Sequence, residues 1–162
     1  MKYLFLAISS FLAIVAQTIA GSNFFLFNFL DLSLILIAYW AIYRSRSQAL
    51  FVGCITGIML DAVLGWPLGY NGFGKTLAAF VIGQTSRRVN VGETWICFVL
   101  MVSSSCLSSL SIFLLFWLMQ RKAGAVFLGA SVVQALITAG VGVLLFALLE
   151  TYTQAHAGKS ST

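Results

Sequence analysis

Charge is what this sequence lacks most. Only 8% of its 162 residues are Asp, Glu, Lys or Arg, against about 25% in a soluble domain. So few charges cannot cover a surface in water, and the chain reads as an integral membrane protein. Its 60% hydrophobic content and mean hydropathy of +1.01 agree. The single histidine, His156, lies near the end of the chain. No Ser-His-Asp or Cys-His arrangement can therefore form inside a span. There is no phosphate loop, no dinucleotide fingerprint and no metal-ligand cluster. These absences predict no catalytic residues, no cofactor and no metal. Cys54, Cys97 and Cys106 have neither disulfide nor zinc spacing and read as small packing residues.

The net charge of +5 does not mark a nucleic-acid partner. The basic residues punctuate apolar runs: Arg44 and Arg46, Arg87 and Arg88, Arg121 and Lys122. A span needs about 20 residues, so six helices nearly exhaust the chain. The apolar runs predict them at about 3–20, 29–43, 48–64, 72–86, 94–119 and 125–149. One helical membrane domain would cover residues 1–152, with a polar tail over 153–162. Lys2 and the apolar run after it imitate a signal peptide, but read as a retained first helix. Turns are expected at Gly21-Ser22-Asn23 and at Gln120-Arg121-Lys122.

Basic links orient spans toward the cytoplasm. With the N-terminus inside, Lys2, Arg44, Arg46, Arg87, Arg88 and Lys159 are cytoplasmic. Lys75, Arg121 and Lys122 fall outside, so Arg121-Lys122 is the discordant pair. Both termini are expected in the cytoplasm. Tyr39 and Trp40, with Arg44, Arg46, Arg87 and Arg88, read as membrane-interface anchors.

Asp61 is the acid that most needs explaining. It stands in Gly53-x-x-x-Gly57-x-x-x-Asp61-x-x-x-Gly65-Trp66-Pro67-Leu68-Gly69-Tyr70-Asn71. A carboxylate inside a span costs about 2.5–3.5 kcal/mol on insertion scales, so it has a partner or a task. Residues 53, 57, 61 and 65 share one side of a helix. Gly53 and Gly57 would leave a groove that another helix can enter. Two readings of Asp61 stay open. It pairs with Lys75 across the hairpin, at equal depth below the turn, or it binds loop amides while Lys75 snorkels to the interface. Asp31 reads as a helix N-cap. Gln134 reads as a helix–helix hydrogen bond or a ligand contact. Ser103, Ser104, Ser105, Ser108, Ser109 and Ser111 read as close-packing residues or as a polar pathway.

The string from Gly53 to Asn71, preceded by Tyr39-Trp40 and a basic link, resembles the MreD family. The resemblance is best over residues 30–88. It implies a non-enzymatic subunit of the bacterial cell-wall elongation machinery in the inner membrane. Its partners would be an MreC-like protein, a RodA-type glycosyltransferase, a penicillin-binding transpeptidase and, indirectly, MreB, besides membrane lipid. Gly53, Gly57, Asp61, Gly65, Pro67, Leu68, Gly69 and Asn71 would be its partner-binding or structural motif. It also implies an all-α bundle similar to the substrate-binding subunits of energy-coupling-factor vitamin transporters. Such a subunit is the rival reading, and predicts a polar cavity lined by Asp61, Asn71 and Gln134.

Overall fold

The computed structural model describes residues 2–23, 30–89, 93–119 and 126–157. They form six helices: α1 (Lys2–Asn23), α2 (Leu32–Tyr43), α3 (Arg46–Leu64), α4 (Tyr70–Thr85), α5 (Thr94–Leu118) and α6 (Val126–Ala157). Among the described residues there is no strand. The protein is an all-α bundle. α3, α5 and α6 each carry a stretch long and apolar enough to cross a membrane. α1 and α2 carry shorter apolar stretches, Phe5–Ile19 and Leu32–Tyr43.

Several boundaries differ from the sequence expectation. α1 runs through the expected turn at Gly21-Ser22-Asn23, because nothing there forbids helical backbone. α6 passes 149 and enters the expected tail, reaching Ala157. Arg121, Lys122 and Lys159 lie outside the described residues.

α2 has only 12 residues. At 1.5 Å per residue it spans about 18 Å, well short of a hydrocarbon layer of about 30 Å. Its first residues therefore start inside the bundle, and so does its cap, Asp31.

α3 and α4 form the tightest pair. A Cβ on Gly57 would lie 2.4 Å from the Gly72 Cα, and one on Gly53 would lie 2.8 Å from the Lys75 carbonyl oxygen. No side chain fits at either place, and the two backbones touch. Gly74 does the same for α4 and α5, where a Cβ would meet the Ser108 carbonyl oxygen at 2.9 Å. α4 is thus held on two sides by glycine contacts. The apolar core continues through Leu34, Ile37, Val52, Ala79, Ile82 and Met101, all buried.

At the arginine-bearing end, Ser45 and Gln48 form a capping box on α3. Arg46 donates to the Gln84 side-chain oxygen at 2.9 Å and lies 4.3 Å from the centre of the Phe80 ring. It clamps α3 to α4 rather than serving only as an interfacial charge. Arg44, Arg87 and Arg88 are exposed. Trp40 departs from the interfacial expectation. It is a buried core residue whose ring lies 6.1 Å from that of Phe5, and Tyr39 packs on its edge. The cysteines divide: Cys97 is buried, whereas Cys54 and Cys106 are exposed rather than packed inside.

Candidate functional site: two buried carboxylates and a polar cavity

Asp61 joins the end of one helix to the start of the next. Its backbone carbonyl accepts from Trp66 N at 2.9 Å and from the N–H of Gly65, which ends α3 in the left-handed conformation at φ 66°. Its carboxylate turns to the opposite helix. Oδ2 accepts from Gly69 N at 2.8 Å, and Oδ1 from Asn71 N at 3.0 Å and Asn71 Nδ2 at 2.8 Å. Gly72 N adds a longer contact at 3.5 Å.

These amides are the first of α4, and a helix leaves its first N–H groups without backbone partners. Gly69, at the N-cap with φ 105°, makes no side-chain cap bond. Asp61 supplies the missing cap from α3. Its negative charge also faces the positive end of the α4 dipole. Without that acceptor those amides would stay unsatisfied, at a cost of about 1–3 kcal/mol. Trp66 and Tyr70 close this turn on Phe116 of α5, with edge-on rings at 5.2 and 4.9 Å. Pro67 sits in the turn, and Leu68 is exposed there.

Lys75 does not pair with Asp61. Its ammonium lies 2.5 Å from Asp31 Oδ2, and the residue is 1% exposed, so it does not snorkel either. Counting from the turn set Asp61 and Lys75 level. Yet Asp61 is saturated by α4 amides, and Lys75 projects toward α2. The arginine end gives the better ruler: Asp31 stands thirteen residues before Arg44, and Lys75 twelve before Arg87. That near-equality was present in the sequence.

Asp31 caps α2, as its position before Leu32 suggests. Oδ1 accepts from Leu34 N at 3.1 Å and from the Ser33 hydroxyl at 2.6 Å. The Asp31 N–H donates to the Thr138 hydroxyl of α6 at 3.0 Å. One residue thereby links α2, α4 and α6. Because the pair is buried, removing one member strands a charge, which costs about 3–5 kcal/mol.

Beside these carboxylates lies a cavity of about 380 Å³, away from the arginine end. Among the described residues, five helices and the N-cap of α2 contribute to it. Gln17 comes from α1, Leu60 from α3 and Gln134 from α6; Asp31 and Asn71 stand at the starts of α2 and α4; Ser105, Ser108 and Ser109 come from α5. Trp66 is among its lining residues. Asn71 and Gln134 line it as the rival reading expects, but Asp31 stands where that reading put Asp61.

The Gly53–Gly57 face does not await a partner, because α4 already fills it. A family model described as rod shape-determining protein MreD matches residues 1–155. The chain belongs to that family. No curated protein and no solved structure matches it. MreD membership thus places the chain among shape-determining proteins. The implied likeness to vitamin-binding transporter subunits has no matching structure behind it.

The MreD string that carried the resemblance divides into three tasks. Gly53 and Gly57 admit α4, Asp61 caps it, and Gly65 with Gly69 turns the chain. Asp31 and the α5 serines are the site residues that the string alone did not reveal.

Proposed function

We propose that this MreD protein is a non-enzymatic scaffold of the cell-wall elongation machinery. It sits in the bacterial inner membrane with both termini in the cytoplasm. It docks the membrane helix of an MreC-like protein. Through that complex it supports peptidoglycan synthesis by a RodA-type glycosyltransferase and a penicillin-binding transpeptidase, with MreB joined indirectly. The observation that carries this reading is the family match over nearly the whole chain.

The geometry supports a rigid scaffold. Each buried acid is bonded to a neighbouring helix, and the glycine face is spent on internal packing. A partner helix must therefore dock on one of the outward apolar faces instead. Association in lipid depends on such packing contacts.

One observation favours the transporter reading: the polar cavity, with Asn71 and Gln134 in its lining. Purification from cells separates the two. The scaffold reading expects an MreC-like protein to copurify, and depletion of this protein to round rod-shaped cells. Copurification with an ATPase module and a retained vitamin, with shape unchanged on depletion, would replace it.

A further inference from the structure

Hydroxyls in a spanning helix ordinarily bond back to the carbonyl three or four residues earlier. Two serines of α5 do this: Ser103 donates to the Leu100 oxygen at 3.0 Å, and Ser111 to the Leu107 oxygen at 2.7 Å. Between them the pattern stops. Ser105, Ser108 and Ser109 line the cavity, and none makes a side-chain hydrogen bond within the described residues. Ser105 and Ser108 are only 4% and 6% exposed. Gln134, across the cavity on α6, also lacks a bonded partner among the described residues. Among the described residues, the buried side-chain polar atom without a partner is Ser104 Oγ, which lies outside this lining. The groups of Ser105, Ser108, Ser109 and Gln134 instead open onto the cavity, so several unpartnered donors and acceptors converge on one space.

The charges at this space are already answered. The Asp31 carboxylate has Lys75, and Asp61 has the α4 amides. Among the described residues, no lysine or arginine lines the cavity. An anion would find no counter-charge among them, and a cation would have to displace Lys75. What remains is a set of neutral donors and acceptors, with Trp66 and Leu60 offering apolar surface beside them. The cavity volume of 380 Å³ lies within the range of about 300–1,000 Å³ usual for small-molecule sites.

We infer that this cavity binds an uncharged, hydroxyl-rich group, a sugar or polyol, carried either on a lipid headgroup or on a free solute. The hydroxyls complete the hydrogen bonds that Ser105, Ser109 and Gln134 lack, and Trp66 covers one apolar face of the group. Ser108 is a poorer handle for testing this, because it also packs against Gly74. The inference does not depend on the scaffold reading, since it concerns a ligand and not a partner protein.

The test uses the full chain in phosphatidylglycerol nanodiscs and reads tryptophan emission. Three probes are titrated: monoglucosyl diacylglycerol, methyl glucoside and additional anionic lipid. Trp66→Phe identifies the part of the signal that reports the cavity. The inference expects a saturable change with the glucosyl lipid or with methyl glucoside, and whichever responds names the source. The triple variant Ser105→Ala, Ser109→Ala, Gln134→Leu should weaken that response about tenfold or more, as expected for lost hydrogen bonds of about 1 kcal/mol each. Its thermal unfolding should stay near wild type, because the changed groups have no protein partners to lose. No response to either glucoside overturns the inference. So does a response confined to anionic lipid, or one that the triple variant leaves intact.

Discussion

The α3–α4 hairpin and the α6 side of the same bundle use similar residues to opposite ends. In the hairpin, glycines mark backbone contact, and the polar side chains of Asp61, Asn71 and Lys75 are all bonded. On α6, a Cβ at Gly142 would meet the flexible end of the Met101 side chain rather than backbone, and one at Gly129 or Gly140 would meet nothing within 4 Å. Gln134 there faces a cavity instead of a neighbouring chain. The difference teaches that a small residue in an apolar helix does not by itself mean close packing. What lies opposite decides. A glycine backed by a capped helix start is a lock; a glycine on an open face is a spacing choice.

The sharpest way to break this contrast is to add bulk on each side. Gly57→Leu puts side-chain atoms into the Gly72 backbone, where even a Cβ would stand at 2.4 Å. Overpacking of a core costs about 1–3 kcal/mol and occasionally more. A backbone clash belongs at the top of that range, so the variant should fail to accumulate or should melt far below wild type. Gly140→Leu should insert and melt near wild type. Thermal unfolding in detergent and the level of inserted protein check both. Equal tolerance at the two positions would remove the distinction.

A smaller effect is expected at the cap. Asp61→Leu deletes the acceptor for Gly69, Asn71 and the Asn71 side chain, and should cost about 1–3 kcal/mol. Asp61→Asn keeps one oxygen acceptor while losing the charge, so it should melt between Asp61→Leu and wild type. If Asn is as damaging as Leu, the charge facing the α4 dipole matters more than the hydrogen bonds.

Much of this was legible in the sequence. Hydropathy and the basic links placed six helices, and the four-residue spacing put Gly53, Gly57 and Asp61 on one face. The α2 cap at Asp31 was legible because an acid directly before an apolar run has few other uses. The partner of Lys75 was misread for a geometric reason. A turn of uncertain length is a poor origin for measuring depth, and α4 begins at Tyr70, earlier than the expected residue 72. The glycine face was read correctly as a groove, but a single helix pattern cannot say whether the occupant is internal. The cavity was the least visible feature. Serines that pack and serines that line a space look alike until the opposing helices are in place.

The account rests on a division of labour between two acids: Asp31 balances Lys75, and Asp61 caps α4. A pair of double-mutant cycles measured by thermal or denaturant unfolding tests it most directly. One cycle combines Asp31→Leu with Lys75→Leu, the other Asp61→Leu with Lys75→Leu. The first should show strong coupling, with the double variant recovering much of the roughly 3–5 kcal/mol that a stranded buried charge costs. The second should be close to additive, within about 0.5 kcal/mol. Strong coupling between Asp61 and Lys75, with additivity between Asp31 and Lys75, would contradict the account.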